Sequence, residues 1–236
     1  MPNFFITAAD DQSFDGGDLA AETADGGGPS PREALGLVNS CATGGDAITF
    51  NGALAGGILE LTGGELRLEQ DVAIAGDQTI DAVQKSRLLT IAAGANGVIG
   101  GLDFTGGYIA DTDPGGMSVD EGGGIFVAMG VTLILTDALV SGNCASAFGG
   151  GIAVDRGATL IGRDVRILDN IAPLGGGLEM RDDVKLVNAK IGGNVASWRG
   201  AVQAEDGSLK LINAAVHGDP AFYVGGASTA LAAISR

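Results

Sequence analysis

From residue 122 to the C-terminus, apolar residues recur in a fixed order. A short alternating pair comes first: Ile125/Val127, Ile152/Val154, Leu178/Met180 and Val202/Ala204. A leucine follows (Leu133, Leu160, Leu186, Leu209), and then a second alternating pair: Ala138/Val140, Val165/Ile167, Ala189/Ile191 and Ala214/Val216. Asn143, Asn170, Asn194 or Asp219 closes each copy at a turn, and the arrangement returns about every 25 residues. Three copies open on Gly122-Gly123-Gly124, Gly149-Gly150-Gly151 and Gly175-Gly176-Gly177, and a fourth on Arg199-Gly200-Ala201. Alternation with a period of two places each pair on one face of a strand. A fixed period of this length predicts a stack, because one repeat cannot bury its apolar face alone whereas a row of them can.

Three short strands per repeat, with glycine and asparagine at the corners, predict an all-β parallel β-helix of about 25 residues per coil. Asparagine suits a corner because it tolerates left-handed backbone angles and its amide can bond to the same amide one coil away. A leucine-rich repeat has an overlapping period and its own asparagine ladder. It requires a helix or extended polar segment on the far side of each repeat, where this chain is Gly-rich and strand-like. Before residue 122 the coils are less regular, with strands expected at 47–50, 57–61, 65–68, 72–75, 88–92 and 99–104. Between Phe104 and Gly122 a longer loop intervenes. The coils are expected to span 48–224, and 225–236 reads as a C-terminal cap or a truncated coil.

Residues 1–50 follow different rules and read as an N-terminal cap. A short apolar strand leads into an acidic loop and then into Ser30-Pro31-Arg32-Glu33. Ser at the N-cap, Pro at the first helical position and Glu three residues after the cap form a capping box. Ala34, Leu35, Val38 and Cys41 follow at helical spacing, which predicts a short amphipathic helix over 30–41. Its expected job is to cover the open apolar end of the stack and its unpaired strand edge.

Glycine makes up 42 of 236 residues, yet 45% of the chain is hydrophobic and there is no strict Gly-X-Y period, so neither collagen nor disorder fits. Thirteen basic against 29 acidic residues leave a formal charge of -16. That charge repels a phosphate backbone and anionic lipid, so a nucleic-acid partner is not expected. No stretch reaches the ~20 apolar residues of a membrane span. Cys41 and Cys144 read as two free thiols rather than a disulfide framework. Residues 1–6 carry no basic n-region or long apolar core, so a classical signal peptide is not expected.

Gly-Gly-Gly-Ile followed by Leu-Val-Ser-Gly-Asn143, and again by Ile-Leu-Asp-Asn170, resembles the repeats of polymorphic outer-membrane proteins and of bacterial cell-surface proteins with a right-handed parallel β-helix. The stretch from Ile6-Thr-Ala-Ala-Asp10 through Pro31-Arg-Glu-Ala34 to Asp46-Ala-Ile-Thr-Phe50 looks like the N-terminal cap that precedes such repeats. There the cap carries Ser-Leu-Arg-Glu-Ala, with leucine where this chain has Pro31. The resemblance implies a right-handed coil and an extracellular or cell-surface setting. It implies little about activity, since the same coil carries adhesins, lyases and epimerases.

Catalytic chemistry finds few residues. The single histidine, His217, occupies the turn position of Ser141 and Gly192 and reads as an exposed corner. Arg156, Arg163, Arg166, Arg181, Lys185 and Lys190 lie near Asp155, Asp164, Asp182 and Asp183. That pattern fits a lyase groove or, more simply, a solvated face with weak ion pairs. No nucleophilic triad and no phosphate loop is present. Calcium is the expected ligand, if any, because two acidic loops supply the oxygens it takes. One carries Asp10, Asp11, Asp15 and Asp18, the other Asp111, Asp113, Asp120 and Glu121. The function expected from the sequence is a non-enzymatic, exported or cell-surface module for adhesion or assembly, calcium-stabilised and facing a cell-surface or glycan partner. A polysaccharide lyase or epimerase, and a structural spacer of a larger surface protein, stand as alternatives.

Overall fold

A computed structural model describes residues 3–16, 28–40, 45–110, 120–217, 222–224 and 228–235. The chain winds into a parallel β-solenoid of about six turns, with roughly 26 residues per turn. Its strands line up as three parallel sheets of 13, seven and four strands. One coil shows the path. Ile125–Val127 belongs to the seven-stranded sheet, Thr132–Ser141 to the 13-stranded sheet and Cys144–Ala145 to the four-stranded sheet.

The register explains the repeat. Ile125 pairs with Ile152, which pairs with Leu178, which pairs with Val202. All four are fully buried, so like residues stack on like along the coil interior. The second alternating pair stacks the same way, Val140 on Ile167 on Ile191 on Val216. Burying a side chain of this size stabilises by about 1.5–3 kcal/mol. The leucine column departs from its sequence spacing. Leu160 pairs with Val184, and Leu186 lies opposite Gly162. The turn after Met180 is shorter than its counterparts, which shifts the strand, and Leu186 Cδ2 sits 2.5 Å from where a Gly162 side chain would begin. The leucine thus occupies the volume the glycine leaves free.

Asn143, Asn170 and Asn194 form the expected ladder, wholly buried. Nδ2 of Asn143 donates to Asn170 Oδ1 and Nδ2 of Asn170 to Asn194 Oδ1, each at 3.0 Å. The same oxygens accept the backbone N–H of Asn143 and of Asn170, again at 3.0 Å. The left-handed backbone expected at these asparagines falls one residue earlier, at Gly142, Asp169 and Gly193 (φ 66°, 55° and 70°). The asparagine itself is thereby free to turn its amide inward.

A second corner, at residues with positive φ, bends the long strands at Asp137, Asp164 and Asn213, and at Asn188 parts Asp183–Val187 from Lys190–Gly192. Asn213 donates to Asn188 at 2.8 Å and Asn188 to Asp164 at 3.0 Å, an exposed counterpart of the buried ladder. In the early coils the strand expected at 99–104 is two strands, Gly97–Gly100 and Asp103–Thr105, parted at Gly101 (φ 74°). Thr79–Asp81 is a further strand.

At the N-terminal end, Asn3–Ile6 pairs in parallel with Asp46–Phe50. The helix spans Pro31–Ser40 and buries Ala34, Leu35, Leu37 and Val38. Its capping box is made: the Ser30 N–H donates to Glu33 Oε2 at 2.7 Å, and the Glu33 N–H to Ser30 Oγ at 3.3 Å. Cys41 lies outside the described residues. Ser228–Ser235 pairs in parallel along Ser208–His217 at the other end.

Candidate functional site

Alternation leaves the middle residue of each strand in the seven-stranded sheet facing away from the coil interior. In register through the first six strands these are Arg67, Thr90, Phe126, Ala153, Glu179 and Gln203. Water would be their ordinary environment, yet all but Arg67 are buried. A second layer of chain covers them. Glu121, Phe148 and Leu174, one from each of three coils, pair with one another in parallel. Each is followed by a glycine with positive φ, such as Gly149 (φ 57°), that turns the chain back into the next strand. The fit is close. A Cβ on Gly149 would stand 2.9 Å from Ala153 Cβ, and one on Gly150 would stand 2.3 Å from the Ile171 carbonyl oxygen. The Gly-Gly-Gly run is what lets a covering layer lie backbone-against-backbone on the coil.

Beneath this cover lies a charged cluster. Arg181 donates from Nη2 and Nη1 to the two carboxylate oxygens of Glu121, at 2.6 and 2.7 Å. Its Nε lies 3.1 Å from Glu179 Oε1 and 3.5 Å from Glu205 Oε2, and its Nη1 lies 3.7 Å from Asp155 Oδ1. The guanidinium also stacks 5.0 Å above the Phe148 ring. Glu179 is 0% exposed, and neither of its oxygens has an aligned hydrogen bond. Burial pushes its carboxyl up to about 8; the nearby Arg181 opposes the rise, while Glu121, Glu205 and Asp155 add to it. Burial alone would lower Arg181, but its bond to Glu121 and the surrounding carboxylates hold it above the ordinary arginine value.

Three coils before Arg181, Arg87 plays a structural part. Its Nε and Nη2 donate to the Glu121 carbonyl at 3.0 and 2.7 Å, its Nη1 donates to Glu65 at 3.0 Å, and it stacks 5.0 Å over Phe126. Burial lowers it, with Glu65 opposing.

Beside the cluster the covering layer opens into a cleft of about 400 Å³ lined by Phe148, Pro173, Leu174, Trp198 and Glu205. Trp198 is 83% exposed at its rim. An exposed indole beside apolar side chains, with one carboxylate in the lining, is a surface able to bind a flat, partly polar ligand such as a sugar ring. Glu205 Oε1 accepts from Gln203 Nε2 at 2.8 Å, while the buried Gln203 Oε1 has no donor.

Of the residues proposed from sequence as calcium ligands, those described have other partners. Asp11 accepts from Arg32 Nε at 2.7 Å and from the backbone N–H groups of Thr62 and Gly63 at 2.6 Å, tying the acidic loop to the helix and the first coils. Asp10 accepts from Gln12 at 2.8 Å, and Asp15 is also engaged. Asp120 is buried near Arg87, and Glu121 is clasped by Arg181. Asp18, Asp111, Asp113 and Asp219 lie outside the described residues. Among the described residues no group of three or more His, Cys, Asp or Glu is arranged to hold a metal ion.

Of the basic residues singled out from sequence, Arg156, Arg163, Arg166, Lys185 and Lys190 are exposed, and Arg181 alone joins a convergence of carboxylates. His217 is exposed opposite Gly192, at the corner position its spacing implies. Glu179, Gln203, Glu205 and Trp198 escaped the sequence reading. The signal was present for two of them: Glu179 and Gln203 are large polar residues in the middle of an alternating pair, where Ala153 stands one coil earlier. No helix of the described residues is long and apolar enough to cross a membrane. Compared with known families, curated proteins and solved structures, the chain matches no family model and no protein or structure significantly.

Proposed function

We propose that this protein is a non-enzymatic, exported or cell-surface β-helix module for adhesion or assembly, and that it engages a glycan through the cleft at Trp198. The observation that carries this reading is the exposed indole standing over an apolar floor of Phe148, Pro173 and Leu174. An indole offers a flat apolar face and a polar N–H at one edge, the combination on which sugar rings pack. The two buried arginines described at this face are engaged, Arg181 by carboxylates and Arg87 by carbonyls, Glu65 and Thr90. Neither offers a free guanidinium to neutralise or deprotonate a uronate, which weighs against the lyase alternative.

Trp198 is the only tryptophan in the chain, so its fluorescence reports this cleft alone. Titration with a panel of oligosaccharides is expected to give a saturable change in intensity and emission maximum. Trp198→Ala is expected to abolish binding measured calorimetrically, with circular dichroism unchanged and stability within about 0.5 kcal/mol of the parent. No saturable response to any glycan would overturn the reading, and production of shortened or unsaturated sugars would replace it with the enzymatic one.

A further inference from the structure

We propose that the Trp198 cleft selects glycans bearing protonated amino groups over neutral or acidic ones, an inference that rests on the glycan reading above. The charges of the site point there. Four carboxylates, those of Glu121, Asp155, Glu179 and Glu205, surround the single guanidinium of Arg181 within 3.7 Å. With the buried Glu179 counted as neutral, three negative charges face one positive, and the patch keeps two negative charges. Arg181 has both of its terminal nitrogens on Glu121 and its Nε beside Glu179 and Glu205, so its charge is already committed to carboxylates.

The cleft wall carries the same message in its hydrogen-bonding groups. Phe148, Pro173 and Leu174 offer no side-chain donor, Trp198 offers its indole N–H, and Glu205 offers acceptors. Glu205 is a third exposed, with Oε2 3.5 Å from Arg181 and Oε1 held by Gln203. Among the described side chains lining the cleft none is cationic, and an incoming sugar carboxylate or sulfate would meet the carboxylate of Glu205 there. An ammonium group would instead meet a partly desolvated carboxylate beside an indole face, where ion pairing and cation–π attraction act together. The overall charge of -16 steers cationic chains toward the molecule and acidic chains away.

The test uses three hexamers at about pH 6, where sugar amines are protonated: glucosamine, N-acetylglucosamine and galacturonate. Each is titrated by Trp198 fluorescence in low salt and again in about 0.5 M salt. The glucosamine hexamer is expected to bind about tenfold more tightly than its acetylated counterpart, with the preference shrinking in high salt, and the galacturonate hexamer is expected to bind weakest. Glu205→Gln is expected to bring the amine-to-acetyl ratio close to one. Equal binding of the amino and acetylated chains, or tightest binding of galacturonate, would overturn this inference and leave the glycan reading standing. A ratio unchanged in Glu205→Gln would overturn it too, since the attraction would then belong to the bulk charge. Binding of none of the three, or of any wider panel, would remove the glycan reading and this inference with it.

Discussion

The inner face of the seven-stranded sheet stacks Ile125 on Ile152 on Leu178 on Val202, while the outer face of the same strands stacks Phe126 on Ala153 on Glu179 on Gln203. Both columns are buried. The inner column repeats because it must. Each coil packs on the one before it in register, and any residue of another size or polarity would open a void or strand a polar group. The outer column is covered by a layer that is built coil by coil from Glu121, Phe148 and Leu174, so each site can differ from its neighbours. A buried carboxyl lacking an aligned hydrogen bond contributes nothing to the stack and destabilises the coil that carries it. Regularity here belongs to the fold, and the break in regularity at Glu179 marks the candidate functional face.

That contrast can be broken from either side. Asn170→Ala attacks the repeating interior. It removes the acceptor for the Asn143 N–H and the donor to the Val140 carbonyl. With roughly two orphaned buried groups at about 1–3 kcal/mol each, the loss is on the order of 4 kcal/mol, or about 10 °C in Tm by calorimetry. A loss under about 1 kcal/mol would mean that the ladder is ornamental.

Arg181→Met attacks the covered outer face, leaving Glu121 and Glu179 without their cation. The expected cost is about 3 kcal/mol by denaturant unfolding, because breaking a buried pair strands the remaining charge. A neutral result would show the cluster to be open to water and ions.

The Glu179 carboxyl sharpens the comparison through pH. Its value is about 8 in the folded chain against an ordinary 4.5, so between those values the folded state holds a proton the unfolded state releases. Stability from this group is therefore full below about pH 4.5 and declines as pH climbs to about 8, with no further loss above. Glu179→Gln is expected to flatten that decline and to be more stable than the parent at pH 9 by on the order of 2 kcal/mol, with little difference at pH 4. Matched pH series of thermal unfolding decide it, and identical slopes in the two proteins would place the proton elsewhere.

The smallest effect concerns calcium. Asp11 and Glu121 are already satisfied by arginines and backbone N–H groups. Millimolar calcium against chelator, at matched ionic strength, is expected to move Tm by less than about 2 °C. A rise of many degrees would place a cation on the carboxylates outside these pairings and restore calcium as a structural ligand.

Much of the fold was legible because it rests on repetition. The period, the alternating pairs, the asparagine ladder and the Ser30–Glu33 capping box each have a local cause that shows in one dimension. Register was less legible. The shorter turn after Met180 pairs Val184 rather than Leu186 with Leu160, and nothing in the spacing of leucines reveals which neighbour a strand will face. The site was least legible. Glu179 and Arg181 are two residues apart, but Glu121 is 60 residues from Arg181 and meets it because two turns of the coil bring them back to the same face.

The sequence by itself determined that the chain stacks, what fills its interior and how its first coil is closed, because those features depend on hydrophobic period and on neighbours a few residues away. The tertiary structure alone decided that the outer face of the seven-stranded sheet is roofed, that four carboxylates share one arginine, and that Trp198 overhangs a cleft. Burial, and with it the charge state of Glu179 and the pairing of Arg181, is a property of what the folded chain lays on top of a residue. No periodicity in the sequence encodes that cover, because it is assembled from segments separated by whole coils.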